Sequence, residues 1–519
     1  MFGVPNYYHL GTFNFQLGIL GLFLTVGYLI YYFVKGPYKY LVLVVLSLIG
    51  AGLISGLLAL MLVYAAIVCF FFGKWLANGR GNFKVIDART DIEKDEKMRL
   101  KAERKRRENW KAALAITLLL LPLFFFKYLG MVTSWFGSRL SFVLLPLGIS
   151  YYTLSAIGYL IDIKRGQSAA EKNPIKMLLF VSYFPFLEEG PFTRYREIAP
   201  TLLNGQVTLS YDNYISGLLK IGFGLIKKLI IADRLGIFVS AALNLNNGYG
   251  SYIVVLGVVA FTFQLYCEFS GLIEVVSGVS EIFGLKVPLN FRQPFFSTSV
   301  SEFWQRWHIS LGAWFRDYLF YPLFMSKPMM GLTMKLKKTG PFFSSFPALC
   351  ICTLFIWALT GLWHGASLEY LLYGVYYGVL MCLEALYNHF MGKTKLSKTV
   401  PYRIVMGLVT FILVNIGMLL FKSRTLSDAF AIFVSMGKPA NVAFFSLIEA
   451  PEFVVLVCAL LLVLTVDILK EKNIQITKLI IEKPFIVRDL VIVVMVVAMV
   501  LFGVYGPGYA PADPIYGGF

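Results

Sequence analysis

An all-α polytopic membrane protein is the fold class this sequence predicts, and three observations predict it. The 519 residues are 58% hydrophobic and 15% charged, with a mean hydropathy of +0.71, where a soluble domain carries about 25% charge. The apolar residues gather in repeated runs of roughly twenty residues, the length an α-helix needs to cross about 30 Å of hydrocarbon. Lys and Arg concentrate in the segments between those runs, the pattern of cytoplasmic loops. The formal net charge of +18 therefore reads as this bias plus contact with anionic lipid, and not as a nucleic-acid footprint.

The first run, 13–34, is followed by Lys35 and Lys39. The next, 40–72, is too long for one span at about 1.5 Å per residue, and Ser55-Gly56 near its middle permits a hairpin between two short spans. Segment 88–111 holds ten Lys or Arg against six Asp or Glu and reads as a charged, helical, cytoplasmic segment. Counting back three spans places the N-terminus outside and the Lys35–Lys39 loop inside, as the charge rule requires. Run 112–126 goes out again, and 141–161 returns to Asp162, Lys164 and Arg165. Residues 177–187 are too few to span and break into Glu188, Glu189, Gly190 and Pro191, the pattern of a re-entrant helix sheltered by protein or a water-filled cavity.

Run 215–243 is interrupted by Lys227 and Lys228, which either snorkel or line a polar interior. Run 252–283 carries Gln264, Glu268 and Glu274. Further spans follow at 347–362, 368–386, 405–421, 453–469 and 491–504, with basic loops at 327–338, 393–403 and 470–488. The count comes to 11–12 membrane helices in a single membrane domain, 1–519. No matching pair of interruptions marks the two halves of a transporter.

One stretch, 261–322, departs from the greasy background by collecting histidine, arginine, carboxylates, amides and tryptophans. Ionisable groups in an apolar chain are costly to bury and mark function by default. Two of the four histidines, His308 and His364, each follow a tryptophan. Imidazole is the side chain that takes and returns a proton near neutrality. The plain alternative is an aromatic anchor with its hydrogen bonds satisfied, on an amphipathic stretch in the case of His308. Gln305, Arg306, Asn290 and Arg292 are donors suited to a developing oxyanion, or braces behind one. Glu268 and Glu274 do not share a helical face by the i+3/i+4 rule and are not paired as acid and base. Cys350 and Cys352 lack a second ligand pair, so no metal site is indicated, and no phosphate-binding glycine loop or nucleophile elbow occurs.

Five ordered pieces carry a resemblance. They are Leu145-Pro-Leu-Gly-Ile-Ser-Tyr-Tyr152, Gly190-Pro-Phe-Thr-Arg-Tyr195, Phe223-Gly-Leu-Ile-Lys-Lys-Leu-Ile-Ile-Ala-Asp233, Phe303-Trp-Gln-Arg-Trp-His-Ile-Ser-Leu311 and Gly361-Leu-Trp-His-Gly-Ala366. Together they resemble the membrane-bound O-acyltransferase family, in particular its bacterial branch of alginate O-acetyltransferase membrane subunits, with teichoic-acid D-alanyl transfer subunits as near relatives. The resemblance implies spanning helices around a central funnel, with short re-entrant or tilted helices that carry the histidines. It implies His364 as the acyl-transfer histidine or general base, and His308 as a wall of the site or a partner contact. This chain has Cys267-Glu268-Phe-Ser-Gly-Leu272-Ile273-Glu274 where relatives have Phe-Asp-Phe-Ser-Gly-Tyr-Ser-Asp. The carboxylates keep their places on longer arms and a small serine is lost.

The resemblance further implies a multi-pass protein of the bacterial cytoplasmic membrane and no bound cofactor. The acyl group, acetyl above all, would come from a cytosolic thioester, either acetyl-CoA or an acyl carrier. It would pass to a hydroxyl of an extracytoplasmic polysaccharide or of a partner acyltransferase. A cytosolic acyl carrier protein and membrane lipids complete the expected partners, without nucleic acid. The tail 505–519 ends in Pro514-Ile-Tyr516-Gly-Gly-Phe519, similar to the aromatic tail Phe-Ile-Tyr-Phe-Gln-Phe of polysaccharide acylation subunits, which makes Tyr516 an acyl relay or docking residue. The rival to that role is a disordered tail. Three rival functions remain open at this point. D-alanyl transfer would use a carrier protein, a transporter or flippase would move substrate without thioester cleavage, and a non-catalytic scaffold would leave both histidines dispensable.

Overall fold

The computed structural model describes residues 21, 24–88, 93–134, 146–187, 189–205, 209–392, 394 and 399–505. Tyr516 lies outside the described residues. Among those described, every regular element is helical, and eight helices are long and apolar enough to cross a membrane. Three shorter apolar helices, Leu24–Phe33, Pro174–Phe186 and Leu426–Ser435, accompany them. The 11–12 apolar runs exceed the eight helices for local reasons. Run 215–243 is helical, but Lys227, Lys228, Asp233 and Arg234 interrupt it, and run 141–161 is described only from residue 146.

Thr25–Ser210 and Phe283–Pro288 form one compact unit. Its principal helices are α1 (Lys39–Ser55), α2 (Leu60–Ala88), α3 (Lys94–Leu123), α4 (Ile149–Arg165) and α5 (Pro174–Ser182). The chain turns where expected, at Gly56 with φ 55°. Yet α1 and α2 share no extended packed face, and each packs instead on α5. The charged stretch is helical as expected from Lys94, and α3 runs unbroken from it into the apolar residues that follow. Its polar front ends in a buried pair, Glu108 and Lys111, 2.8 Å apart. Gly79 of α2 makes room for that pair, since a Cβ there would lie 2.2 Å from the Glu108 carboxylate. Pro122 withdraws a backbone donor near the end of α3, and the helix widens into a π-turn at Phe124–Tyr128.

The other unit holds Tyr211–Ile282 and the chain from Leu289 onward. Here α6 (Tyr211–Leu225) continues through a π-turn, Ile226–Ala232, into α7 (Asp233–Ala242), and packs along α8 (Ser251–Ile282). The seam is made of glycines seven residues apart on each helix. A Cβ on Gly217 would meet Gly278 O at 2.6 Å, and one on Gly224 would meet Gly271 O at 2.3 Å. Such close backbone approach suits helices that gain little from burying apolar side chains against each other in lipid. Short helices α9 (Val300–Arg306) and α10 (Ile309–Phe315) precede α11 (Pro341–His364), α12 (Leu368–Met391), α13 (Val400–Lys422), α14 (Ala450–Glu471) and α15 (Phe485–Phe502). The C-terminal end of α15 is tied down by Arg234, whose Nη2 donates to Phe502 O at 3.0 Å. Val504 N–H donates to Leu229 O at 2.9 Å beside it.

Candidate active site

The turn between α9 and α10 carries His308. Ser299 caps α9 by accepting the Glu302 N–H at 3.1 Å. Glu302 reaches back to accept from Thr298 N at 2.8 Å and Thr298 Oγ1 at 3.0 Å. Burial works to raise the Glu302 carboxyl, but these bonds and Arg306 outweigh it and hold it below its ordinary value. The helix then stops, and His308 takes φ 48°, ψ 49°, a left-handed conformation unfavourable for any side chain. Its carbonyl starts α10 by accepting the N–H groups of Leu311 at 3.1 Å and Gly312 at 3.2 Å. Gln293, at φ 38°, shares the strain. Two backbone bonds clamp the segments together, Arg292 N–H to Arg306 O at 2.8 Å and Ile309 N–H to Asn290 O at 3.0 Å.

Asn290 fixes the imidazole. Its Oδ1 accepts from Ser310 N at 3.1 Å and Ser310 Oγ at 2.8 Å, which sets which way the amide faces. His308 Nδ1 lies 3.2 Å from the same oxygen. An amide oxygen cannot donate, so Nδ1 carries the proton and Nε2 carries the lone pair. Burial pushes the His308 pKa down to about 3, so the ring is neutral at physiological pH. Asn290 Nδ2 is buried without a hydrogen-bond acceptor among the described residues. One amide thus orients a base and leaves a donor over.

His364 is the last residue of α11 and is 3% exposed, as is His308. Glycines bring α11 and α12 together beside it. A Cβ on Gly361 would sit 2.0 Å from Tyr370 O, and one on Gly374 would sit 2.1 Å from Trp357 O. Tyr373 and Phe421 close on the His364 ring edge-on, with centroids at 5.8 Å and 5.3 Å. Trp363 connects the two histidines, its ring 4.8 Å from His364 and 5.9 Å from His308. Phe269 of α8 packs edge-on against His308 at 4.7 Å. Trp307 stacks on Phe303 at 5.4 Å, and Trp304 meets Trp357 at 4.9 Å and Tyr377 at 4.8 Å. Both imidazoles are buried among aromatic rings, and a low-dielectric surrounding strengthens the polar interactions made there.

A buried charge cluster backs this cage. Lys228 Nζ lies 2.9 Å from both Glu268 and Asp233. Lys227 reaches Glu274 at 3.3 Å and donates to Ser270 Oγ at 3.2 Å, while Lys470 reaches Glu274 at 3.0 Å. Tyr266 OH donates to Asp467 at 2.8 Å. The two lysines therefore line a polar interior and do not snorkel. Glu268 and Glu274 each take a different lysine as partner, consistent with their lying on different faces of α8.

The structure distributes the sequence candidates unevenly. His308, His364 and Asn290 belong to the aromatic cage. Glu268 sits in the charge cluster, with Phe269, its chain neighbour, against His308. Arg306 is 8% exposed, but its guanidinium is occupied by Glu302, Glu471 and Gln293 O. Those bonds fit the second of its two expected roles, a brace. Gln305 and Arg292 are exposed and stand outside the cage. Three residues of the site and its surroundings carry no signal of their own in the sequence: Trp363 as a connector, and Glu471 and Asp467 as partners. Trp363 and Asp467 are buried near helix ends and Glu471 is an exposed helix-end residue, and in each case the packed neighbour is needed to see the contact.

Residues 110–426 match the model of the membrane-bound O-acyltransferase family. A probable alginate O-acetylase of Pseudomonas syringae pv. tomato is 36% identical over 292 residues, which cover 56% of this chain and 51% of that protein. A peptidoglycan O-acetyltransferase of Helicobacter pylori is 27% identical over 320 residues, 57% of each chain. A teichoic acid D-alanyltransferase of Bacillus subtilis is 30% identical over 289 residues, 54% of this chain and 69% of that one. The alignment thus spans little more than half the length of the alginate O-acetylase it matches at 36% identity.

Proposed function

The chain belongs to the membrane-bound O-acyltransferase family, and on that premise we propose that it moves an acyl group, most simply acetyl, from a cytosolic thioester to a hydroxyl on the far side of the membrane. The acceptor is an extracytoplasmic polysaccharide or the serine of a partner acyltransferase. The observation that carries this reading is the pair of buried imidazoles packed on one indole, Trp363, inside the family segment.

The chemistry balances with the residues present. His364 takes the proton of the acceptor hydroxyl as its oxygen attacks the thioester carbonyl. The tetrahedral oxyanion collapses, the C–S bond breaks, and the imidazolium returns its proton to the departing thiolate. His308 offers a second, oriented lone pair at Nε2, and Asn290 Nδ2 is the buried donor suited to the oxyanion. Acetyl-CoA is the proposed donor, with an acyl carrier protein as the alternative that the D-alanyltransferase likeness supports.

Purified full-length protein in nanodiscs, offered acetyl-CoA or a D-alanyl carrier thioester with an extracytoplasmic polymer, tests the reading. Thiol release and label transfer from acetyl-CoA support acetylation, and use of the carrier thioester alone moves the assignment to D-alanylation. Absence of both, with a cell-envelope extract supplying partners, contradicts acyl transfer.

A further inference from the structure

The last turn of α14 sends three side chains to three different residues. Asp467 accepts from Tyr266, Lys470 pairs with Glu274, and Glu471 pairs with Arg306. Positions 467, 470 and 471 follow the i, i+3, i+4 spacing and so share one face. The Glu471 bond is two-pronged, Nη1 to Oε2 at 2.8 Å and Nη2 to Oε1 at 3.1 Å. Parallel guanidinium–carboxylate bonds of this kind fix direction as well as distance.

Arg306 is well placed to pass that constraint on. Its Nε and Nη2 donate to Glu302 Oε1 at 3.1 and 2.8 Å, and Nη1 also donates to Gln293 O at 3.4 Å. Its carbonyl holds the Arg292 N–H. It therefore joins α9, the strained Gln293 and the end of α14, and His308 follows two residues later. We propose that Glu471 is a positioning residue for His308. It anchors Arg306 to α14, and through Arg306 the turn that presents the imidazole, although it lies beyond the segment 110–426 that the family model matches. The inference rests on the acyl-transfer reading of this site. Removing Glu471 leaves Glu302 on the guanidinium, so Arg306 is not stranded as a buried bare charge. What disappears is the attachment of the turn to a membrane helix.

The test uses the full chain in nanodiscs, wild type beside E471Q, E471D and K472A, the last altering an exposed neighbour. Two quantities are read: thioester turnover with acetyl-CoA, and the rate at which diethyl pyrocarbonate modifies His308, followed by peptide mass spectrometry. E471Q is expected to lower kcat by about tenfold with KM within about twofold, and to speed His308 modification. E471D, which keeps both carboxylate oxygens, recovers most of each loss, and K472A matches wild type. E471Q with wild-type kcat and modification rate overturns the proposal, and so does a rise in KM alone, which would assign Glu471 to thioester binding. If wild type turns over no thioester, the acyl-transfer reading fails separately. The His308 modification rate in E471Q then decides the positioning role.

Discussion

His308 is neutral because burial removes the water that would stabilise its charge, and oriented because Asn290 Oδ1 accepts its Nδ1 proton. The sign of its pH effect follows. Above about pH 6.5 the ring is neutral in folded and unfolded chain alike. Between there and its folded pKa of about 3 the unfolded chain binds a proton that the folded chain does not. His308 thus withdraws stability as pH falls through that window. A carboxylate in place of the amide would favour the imidazolium, so Asn290→Asp should introduce an acid limb into the pH–rate profile at higher pH than in wild type. Asn290→Ala leaves the Ser310 N–H and the ring without their acceptor, and should lower kcat by roughly tenfold or more. An unchanged profile in Asn290→Asp would show that Asn290 does not govern the ring. The residue types were legible in the sequence, since histidine after tryptophan in an apolar chain invites attention. Facing was not legible. Successive residues on α9 point about 100° apart, so Arg306 turns inward to Glu471 while Gln305 turns out, and nothing local ranks them.

Glycine seams place the elements. At the α11–α12 crossing, a Cβ on Gly374 would lie 2.1 Å from Trp357 O and 3.1 Å from Gly361 N, both backbone atoms that cannot swing aside. Gly374→Ala should push the helices apart, destabilise the protein by about 1–3 kcal/mol, and reduce turnover because His364 ends α11. Gly331, in the short helix Lys327–Lys335, has open space where an added methyl would sit, with nothing within 4 Å, and supplies the control. Gly331→Ala should leave the melting temperature unchanged or slightly raised. Equal melting temperatures for the two variants would contradict the seam. The seven-residue glycine spacing in α6 and in α8 stands in the sequence and could have announced their pairing. The π-turn after Leu225 could not, because a π-turn has no spacing signature of its own. That turn lies where Lys227 and Lys228 meet Glu274 and Glu268, so lysines and carboxylates were each visible as anomalies while their pairing was not.

At the scale of the whole molecule, composition pointed to a membrane protein, because too little of the chain is charged to solvate a soluble surface of this size, and the apolar runs of about twenty residues made it helical. The number of spans was less legible, since a run interrupted by paired charges forms a helix without being apolar. The candidate site was legible as a region, 261–322 with Gly361–His364, and the structure packs its histidines on one indole. The acyl group and acceptor reside in molecules that the chain meets, and only turnover identifies them. Acyl transfer from a thioester is proposed to depend on His364. Radiolabelled acetyl-CoA is supplied to wild type and to His364→Ala, both recovered from the membrane in equal amount, and thiol release and acceptor label are followed. Transfer should fall by roughly 10²–10⁴-fold in the variant. Acylation retained at the wild-type rate would contradict it.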